Sequence, residues 1–224
     1  MKNLSQMSNK ELTEDQCWSQ LGHYGVALNV KDERPLLLPE ELIIQSIRHL
    51  GNLDYSRMFS LILDWSFIYG DLLRTDVFLK EFPVLENAKE RKILCGLLEL
   101  INLRKFKPVI KKISKTFGNE EYMCGAQGRV NSFGADPVML KYGITCSFIQ
   151  RVRDDKKVIT KKEITNVCEV FKSRLIIGAN ARADFFSFRK IFIDYKISQI
   201  RDMTYTSKTS SVDFEKSFRY VSLI

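Results

Sequence analysis

Apolar residues recur every three or four positions over most of the chain, which is the period of amphipathic helices. Residues 55–69 leave almost no polar face, so they predict a central helix, with Asp54 as its N-cap. Helices are also predicted over residues 39–50, 75–82 and 86–106, joined by short connections. Together these four helices predict a compact N-terminal bundle.

The pattern changes in the middle of the chain, where five of the eleven glycines lie between residues 116 and 150. Residues 138–148 alternate enough to predict a strand or hairpin, and residues 157–159 could supply a short partner strand. We therefore expect a glycine-rich linker, with a short β-hairpin, between two helical parts.

A capping box, Thr160-x-x-Glu163, predicts the start of a long helix after this linker. Gly178 is suited to end it, because glycine readily adopts the backbone conformation of a helix C′ position. The apolar stripe of this helix consists of Ile164, Val167, Phe171 and Leu175.

Three short helices are predicted over residues 180–220. The first opens at Asn180 and carries an apolar stripe, and the second covers residues 197–203 with Ser198 as its N-cap. A tight corner over residues 204–206 follows, and Ser207 caps a third helix that runs to about Tyr220. The stripe of the first helix consists of Phe185, Phe188, Phe192 and Tyr195.

The helical wheel of the third helix separates an apolar face from a basic one. With Phe214 at its centre, the first face includes Phe218, Val221 and Ser207. A second helix after a three-residue turn, with basic and hydroxyl side chains pointing outward, is typical of a recognition helix in a DNA major groove. The candidate DNA contacts are Ser207, Lys208, Thr209, Val212, Lys216, Arg219 and Tyr220.

Three short motifs carry a resemblance to a known family. They are Arg174-x-x-x-Gly178-x-x-Ala181-Arg182-Ala183-Asp184-Phe185, Ile197-Ser198-Gln199-Ile200 and Tyr205-Thr206-Ser207-Lys208. Over about fifty residues the chain resembles bacterial winged helix-turn-helix transcription regulators of the ArsR/MarR-like kind. The resemblance implies binding of double-stranded DNA, but the chain stops at Ile224, which leaves no room for a two-stranded wing.

The distribution of charge agrees with a basic C-terminal part. The chain of 224 residues has a formal net charge of +8. Residues 151–224 hold 16 Lys and Arg against 9 Asp and Glu, a net charge of +7. Nucleic-acid-binding domains commonly concentrate positive charge in this way.

A second basic cluster, at residues 104–115, places six cations within twelve residues. It can be interpreted as a solvated helix end or as a contact to a phosphate backbone outside the helix-turn-helix. The candidate phosphate contacts are Lys105, Lys107, Lys111, Lys112 and Arg182.

The residues that usually support catalysis are scarce. His23 and His49 are the only histidines, and neither has the spacing of a metal ligand from another His or Cys. The five cysteines are at least 22 residues apart and form no Cys-x-x-Cys motif. We therefore expect no enzyme activity, no metal and no cofactor.

These observations predict a mainly α protein in four parts: a polar N-terminal arm (1–35), a helical bundle (36–116), a glycine-rich linker (117–159), and a linker helix with a helix-turn-helix domain (160–224). The expected function is a DNA-binding transcriptional or antitoxin-like regulator, with the N-terminal helices used for dimerisation or sensing. With 45% apolar residues, no signal-peptide core and no long apolar run, the expected location is the cytoplasm and the expected form is a homodimer.

Two alternatives remain open. The three C-terminal helices could be an ordinary packing subdomain with a solvated basic face. The chain could also be a non-catalytic adaptor of a bacterial assembly, in which the same basic face binds an acidic partner.

Overall fold

The computed structural model describes residues 12–26, 37–149 and 160–221, and it divides the chain into two compact units. One unit is residues 40–159, called here the central unit. The other combines residues 1–39 with residues 160–224 and is called the discontinuous unit. The prediction of a mainly α fold is confirmed, because the strands of the described residues are two residues long.

The helices of the central unit succeed one another along the chain, with short connections between most of them. They are α2 (Pro39–Ile47, whose first residue precedes the unit), α3 (Arg57–Tyr69), α4 (Thr75–Glu81), α5 (Ala88–Ile101), α6 (Lys107–Ile113), α7 (Gln127–Phe133) and α8 (Pro137–Leu140). Single 3-10 turns extend several of these helices. The most apolar of them, α3, buries eight of its thirteen residues, as the absence of a polar face predicts.

The cap of α3 differs from the prediction. Ser56, not Asp54, caps the helix, and its hydroxyl accepts a hydrogen bond from the Phe59 amide at 3.1 Å. The Asp54 carboxylate instead accepts bonds from the Ala126 amide at 2.9 Å and from the amide and hydroxyl of Ser147 at 2.9 and 2.8 Å. Asp54 therefore joins the start of the helix to the glycine-rich segment.

The predicted helix over residues 86–106 is interrupted. After Asn87, which caps it, α5 ends at Ile101, because Asn102 adopts a left-handed conformation with φ of 55°. Asparagine tolerates this conformation better than most residues. A 3-10 turn then leads into α6, where Pro108 occupies the first turn and starts a helix instead of only ending one.

The expected β-hairpin is also different in the structure. Strands β1 (Tyr122–Met123) and β2 (Ile144–Thr145) pair in parallel, with Tyr122 opposite Ile144. Residues 138–140, the first three of the predicted strand over 138–148, belong to helix α8, because the Asp136 carboxylate caps the amides of residues 138 and 139, and β2 covers two later residues of that range. The predicted partner at 157–159 lies outside the described residues.

The described part of the predicted glycine-rich linker, residues 117–149, is packed within the central unit and does not form a linker. The side chain of Lys92 on α5 is buried, and its ammonium donates to the Glu120 carbonyl. The rings of Phe117 and Tyr122 lie 5.2 and 5.5 Å from this ammonium. Cation–π contacts and a hydrogen bond thus hold the segment against α5.

The discontinuous unit contains α1 (Glu14–His23), α9 (Lys161–Val167), α10 (Glu169–Ile177), α11 (Ala181–Ile191), α12 (Ile197–Met203) and α13 (Lys208–Val221). Part of the predicted polar arm is therefore helix α1, which Thr13 and Gln16 open with a capping box. Tyr24, which follows α1, is fully buried, and its ring packs edge-on against Phe171 at 5.6 Å.

The capping box of Thr160 and Glu163 is confirmed, but the long helix predicted after it is broken. Cys168 has an extended backbone, with φ of −127°, so α9 ends there and α10 begins at the next residue. Gly178 ends α10 as predicted, but as the C-cap residue directly after Ile177 and not at the C′ position, and its φ of +102° is a value that side chains rarely adopt.

An ion pair buried from solvent joins α10 to α11. Arg174 Nε lies 2.6 Å from Asp184 Oδ1, Arg174 Nη2 lies 2.9 Å from Oδ2, and both side chains are 0% exposed. This bidentate geometry fixes the two planar groups relative to each other. It therefore sets the corner between the two helices.

Replacement of Arg174 by Met should lower the free energy of unfolding by about 3–5 kcal/mol, because the Asp184 charge would stay buried without its cation. Urea unfolding at pH 7 measures this loss. Lys190→Met is the matched control on the same helix pair, since its ion pair with Glu169 is 58% and 27% exposed and should contribute less than about 1 kcal/mol.

In the double variant Arg174→Met/Asp184→Leu no lone charge remains, so part of the lost stability should return. If Arg174→Met costs no more than Lys190→Met, the buried pair does not hold the corner.

Candidate nucleic-acid interface

The candidate interface is formed by α11, α12 and α13, each of which packs against the other two. Asn180 opens α11, and its side-chain oxygen accepts a bond from the Ala183 amide at 3.1 Å. Phe185, Phe188 and Phe192 are no more than 1% exposed, so the predicted stripe is the core of this group.

The start of α12 lies one residue before the predicted cap. Lys196 occupies the cap position, Ser198 lies inside the first turn, and the Gln199 side chain accepts a bond from the Lys196 amide at 2.8 Å. Ile200 is fully buried and anchors this short helix to its neighbours.

The corner predicted over residues 204–206 lies between α12 and α13, and Ser207 separates it from the first residue of α13. The Thr204 hydroxyl bonds to the Ile200 carbonyl and to the Thr206 hydroxyl, each at 2.8 Å, and both threonines are buried. Tyr205 has φ of 54°, so a tyrosine, and not a glycine, adopts the left-handed conformation in this turn.

Ser207 caps α13 as predicted, because its hydroxyl accepts a bond from the Ser210 amide at 3.1 Å. The packed face of this helix is rotated from the predicted one. Ser211 and Glu215 are 2% and 5% exposed, whereas Phe214 and Phe218 are half-buried. These two rings pack edge-on against Phe185 and Phe186, at 5.8 Å in each case.

Glu215 is the residue of this group that the helical wheel missed. Its buried carboxylate accepts a bond from Arg189 Nε of α11 at 3.1 Å and one from Arg219 Nε at 3.3 Å. Since an isolated buried carboxylate is costly, the two arginines are needed for its burial. The bond from Arg189 joins the two helices and fixes the rotation of α13 against α11.

The opposite face of α13 is open to solvent. Its exposed side chains include most of the candidate DNA contacts and also Asp213, which adds one negative charge. Lys208 and Lys216 form no ion pair within the described part of the chain, whereas Arg219 forms an ion pair with Glu215. The exposed candidates are Ser207, Lys208, Thr209, Val212, Lys216 and Arg219, and the side chain of Tyr220 lies outside the described ones.

Arg182 at the start of α11 lies beside this face. Its guanidinium is exposed and sits 5.1 Å from the centre of the Phe214 ring. A cation–π contact of this kind holds an arginine in place while its donors remain accessible to an anion.

The other candidate phosphate contacts belong to the central unit and divide into two kinds. Lys105 is used internally, because its ammonium donates to the carbonyls of Asp71 and Leu73 at 2.7 Å each. Lys107, Lys111 and Lys112 are exposed on α6.

The side chains considered for catalysis do not form a group with metal-ligand geometry in the described ranges. Burial raises the pKa of the Cys124 thiol, which disfavours the thiolate that a nucleophile requires. The nearby Ala126 amide is occupied by Asp54, so the segment from Gly125 to Arg129 does not present this amide to a phosphate.

No protein-family model, curated protein or solved structure matches the chain. The helices in the described residues are also too short or too polar to cross a membrane.

Proposed function

We propose that the protein is a DNA-binding transcriptional regulator that places the outward face of α13 in a major groove. One observation supports this most directly. A capped helix of fourteen residues, held by α11 and α12, leaves Lys208, Thr209, Val212 and Lys216 together on its exposed side. This is the arrangement that a recognition helix requires.

The dimensions suit the groove. An α-helix with side chains is about 10–12 Å across, and the major groove of B-DNA is about 12 Å wide. Thr209 and Val212 lie one turn apart and can meet base edges and thymine methyl groups, while the lysines at either end meet phosphates. Arg182 adds a cation beside the same helix.

The charge of the described side chains supports DNA over a neutral partner. Lys208 and Lys216 carry unpaired charge on this face, and Asp213 is the opposing acid there. An acidic protein could use the same lysines, as an adaptor would, but it would not require a helix whose hydroxyl and apolar side chains alternate with its cations.

Replacement of Lys208 and Lys216 by Ala should reduce the salt dependence of duplex binding by up to about two units of slope, since two phosphate contacts no longer release counterions. Fluorescence anisotropy of a labelled duplex, titrated at several NaCl concentrations, measures the slope. The fold should be unaffected, because exposed substitutions change stability by under about 0.5 kcal/mol.

The matched control is Lys162→Ala/Lys172→Ala, which removes the same charge from α9 and α10 of the same unit. An equal loss in both double variants would mean that binding follows net charge and not α13. Unchanged binding by the first double variant would favour the adaptor.

Thr209→Ala should change sequence preference more than overall affinity, because a short hydroxyl near the start of a recognition helix contacts bases and not phosphates. Selection of bound duplexes from a random pool, with wild type and variant in parallel, compares the preferred sites. Identical preferred sites would exclude a base contact by Thr209, and Lys216→Ala is the control expected to leave the preference unchanged.

We further propose that the regulator binds as a homodimer. A single recognition helix makes few phosphate contacts, and two copies on half-sites one helical turn apart would double them. Sedimentation on a duplex should give two chains per DNA. One chain per duplex at saturation would contradict this proposal.

A further inference from the structure

The described residues hold a second strongly basic surface, in the central unit, which does not contain α13. Arg104, Lys107, Lys111 and Lys115 follow one another at spacings of three, four and four residues. All four side chains are exposed. These four residues are called here the α6 stripe. Its first and last members, Arg104 and Lys115, lie in the 3-10 turns that flank the helix.

The packing of α6 explains why these cations share one side. Phe106, Val109 and Ile113 are no more than 1% exposed, so the inward face of the helix is part of the core. The spacing of the stripe places its members on the half of the helix that points away from these residues. The stripe cannot turn inward without exposing the core.

The charge of the stripe is not neutralised by nearby acids. Residues 104–116 contain no Asp or Glu. Glu99 interacts electrostatically with Lys107, but its carboxylate is already bound by Lys141 at 2.6 Å and by the Tyr142 hydroxyl. No stripe member forms an ion pair in the part of the chain that the structure describes. Lys105, by contrast, is withdrawn from this surface by its two carbonyl bonds.

We propose that the α6 stripe is a second nucleic-acid-binding surface, which contacts the phosphate backbone of duplex DNA without reading its sequence. The stripe extends over roughly 15–20 Å, from rises of about 1.5 Å per α-helical and 2.0 Å per 3-10 residue. Because each strand of a duplex has one phosphate per about 3.4 Å of the helix axis, the stripe is about as long as five base-pair steps and can contact several phosphates.

The chemistry of the stripe favours a phosphate backbone over a membrane surface or a base-reading interface. Phe106, Val109 and Ile113 are used in the core and Ile110 is half-buried, so residues 104–116 expose no large apolar side chain that could enter a lipid layer. The hydroxyls of Ser114 and Thr116, which flank Lys115, donate to backbone carbonyls, and Lys and Pro fill most of the outward face of α6, so this face offers few groups that could read bases.

The test uses the full chain with Lys107→Ala/Lys111→Ala/Lys115→Ala and a labelled duplex of random sequence. We expect the slope of log affinity against log salt to fall by up to about 2.7, which is about 0.9 for each lost phosphate contact. The control Arg57→Ala/Lys80→Ala/Lys89→Ala removes the same charge from scattered positions of the same unit and should change the slope little. Circular dichroism and thermal unfolding establish that both variants remain folded.

Both triple variants are also measured with Lys208→Ala/Lys216→Ala. If the stripe substitutions still lower the salt slope when Lys208 and Lys216 are also replaced, DNA binding by the stripe is supported whether or not α13 binds DNA. The two proposals can therefore fail separately. A stripe variant with the wild-type slope, or with the slope of the scattered control, overturns the inference. So does a variant that loses binding to vesicles containing phosphatidylserine while keeping its affinity for DNA.

Discussion

The ion pair of Arg174 and Asp184 is the constraint on which the three-helix group depends. Neither side chain reaches solvent, so each charge is tolerated only while the other is present. Because the residues lie on α10 and α11, the pair fixes where α11 starts, and Gly178 and the Asn180 cap complete the corner. The positions of α12 and α13 follow from α11, which packs against both. The ten-residue separation of Arg174 and Asp184 in the resemblance motif thus has a structural reason.

Local signals in the sequence predicted local structure well, and long-range contacts overrode them elsewhere. The caps at Thr160 and Ser207 and the stripe of α11 depend on neighbours within one or two turns, so the sequence contains them. Asp54 had the same cap signal, but its carboxylate bonds to Ala126 and Ser147, more than seventy residues away. The packing of Tyr24 against Phe171 is also a contact between residues far apart in the sequence, and no pattern near residue 24 indicates that partner.

The candidate interface shows a similar division. The helical wheel identified the exposed side of α13, because charged and hydroxyl residues there have no reason to be buried. It placed the packed side too close to Phe214, since a wheel ranks Glu215 as solvent-facing. Arg189 and Arg219 reverse that ranking by neutralising the carboxylate. A buried acid of this kind is visible in sequence only if its cationic partners, here on α11 and one turn along α13, are already known.

Counting cations therefore overstates the charge available to a ligand. Two of the arginines, Arg174 and Arg189, donate to buried carboxylates. Two of the lysines, Lys92 and Lys105, donate to backbone carbonyls. The rotation of each helix decides which cations face solvent, and on α13 that rotation is fixed by the bond between Glu215 and Arg189 of α11. The pair that joins α11 to α13 thus also keeps Lys208 and Lys216 facing solvent. A cation held outward by packing binds a phosphate with less loss of conformational freedom, because its helix is already ordered before the ligand arrives.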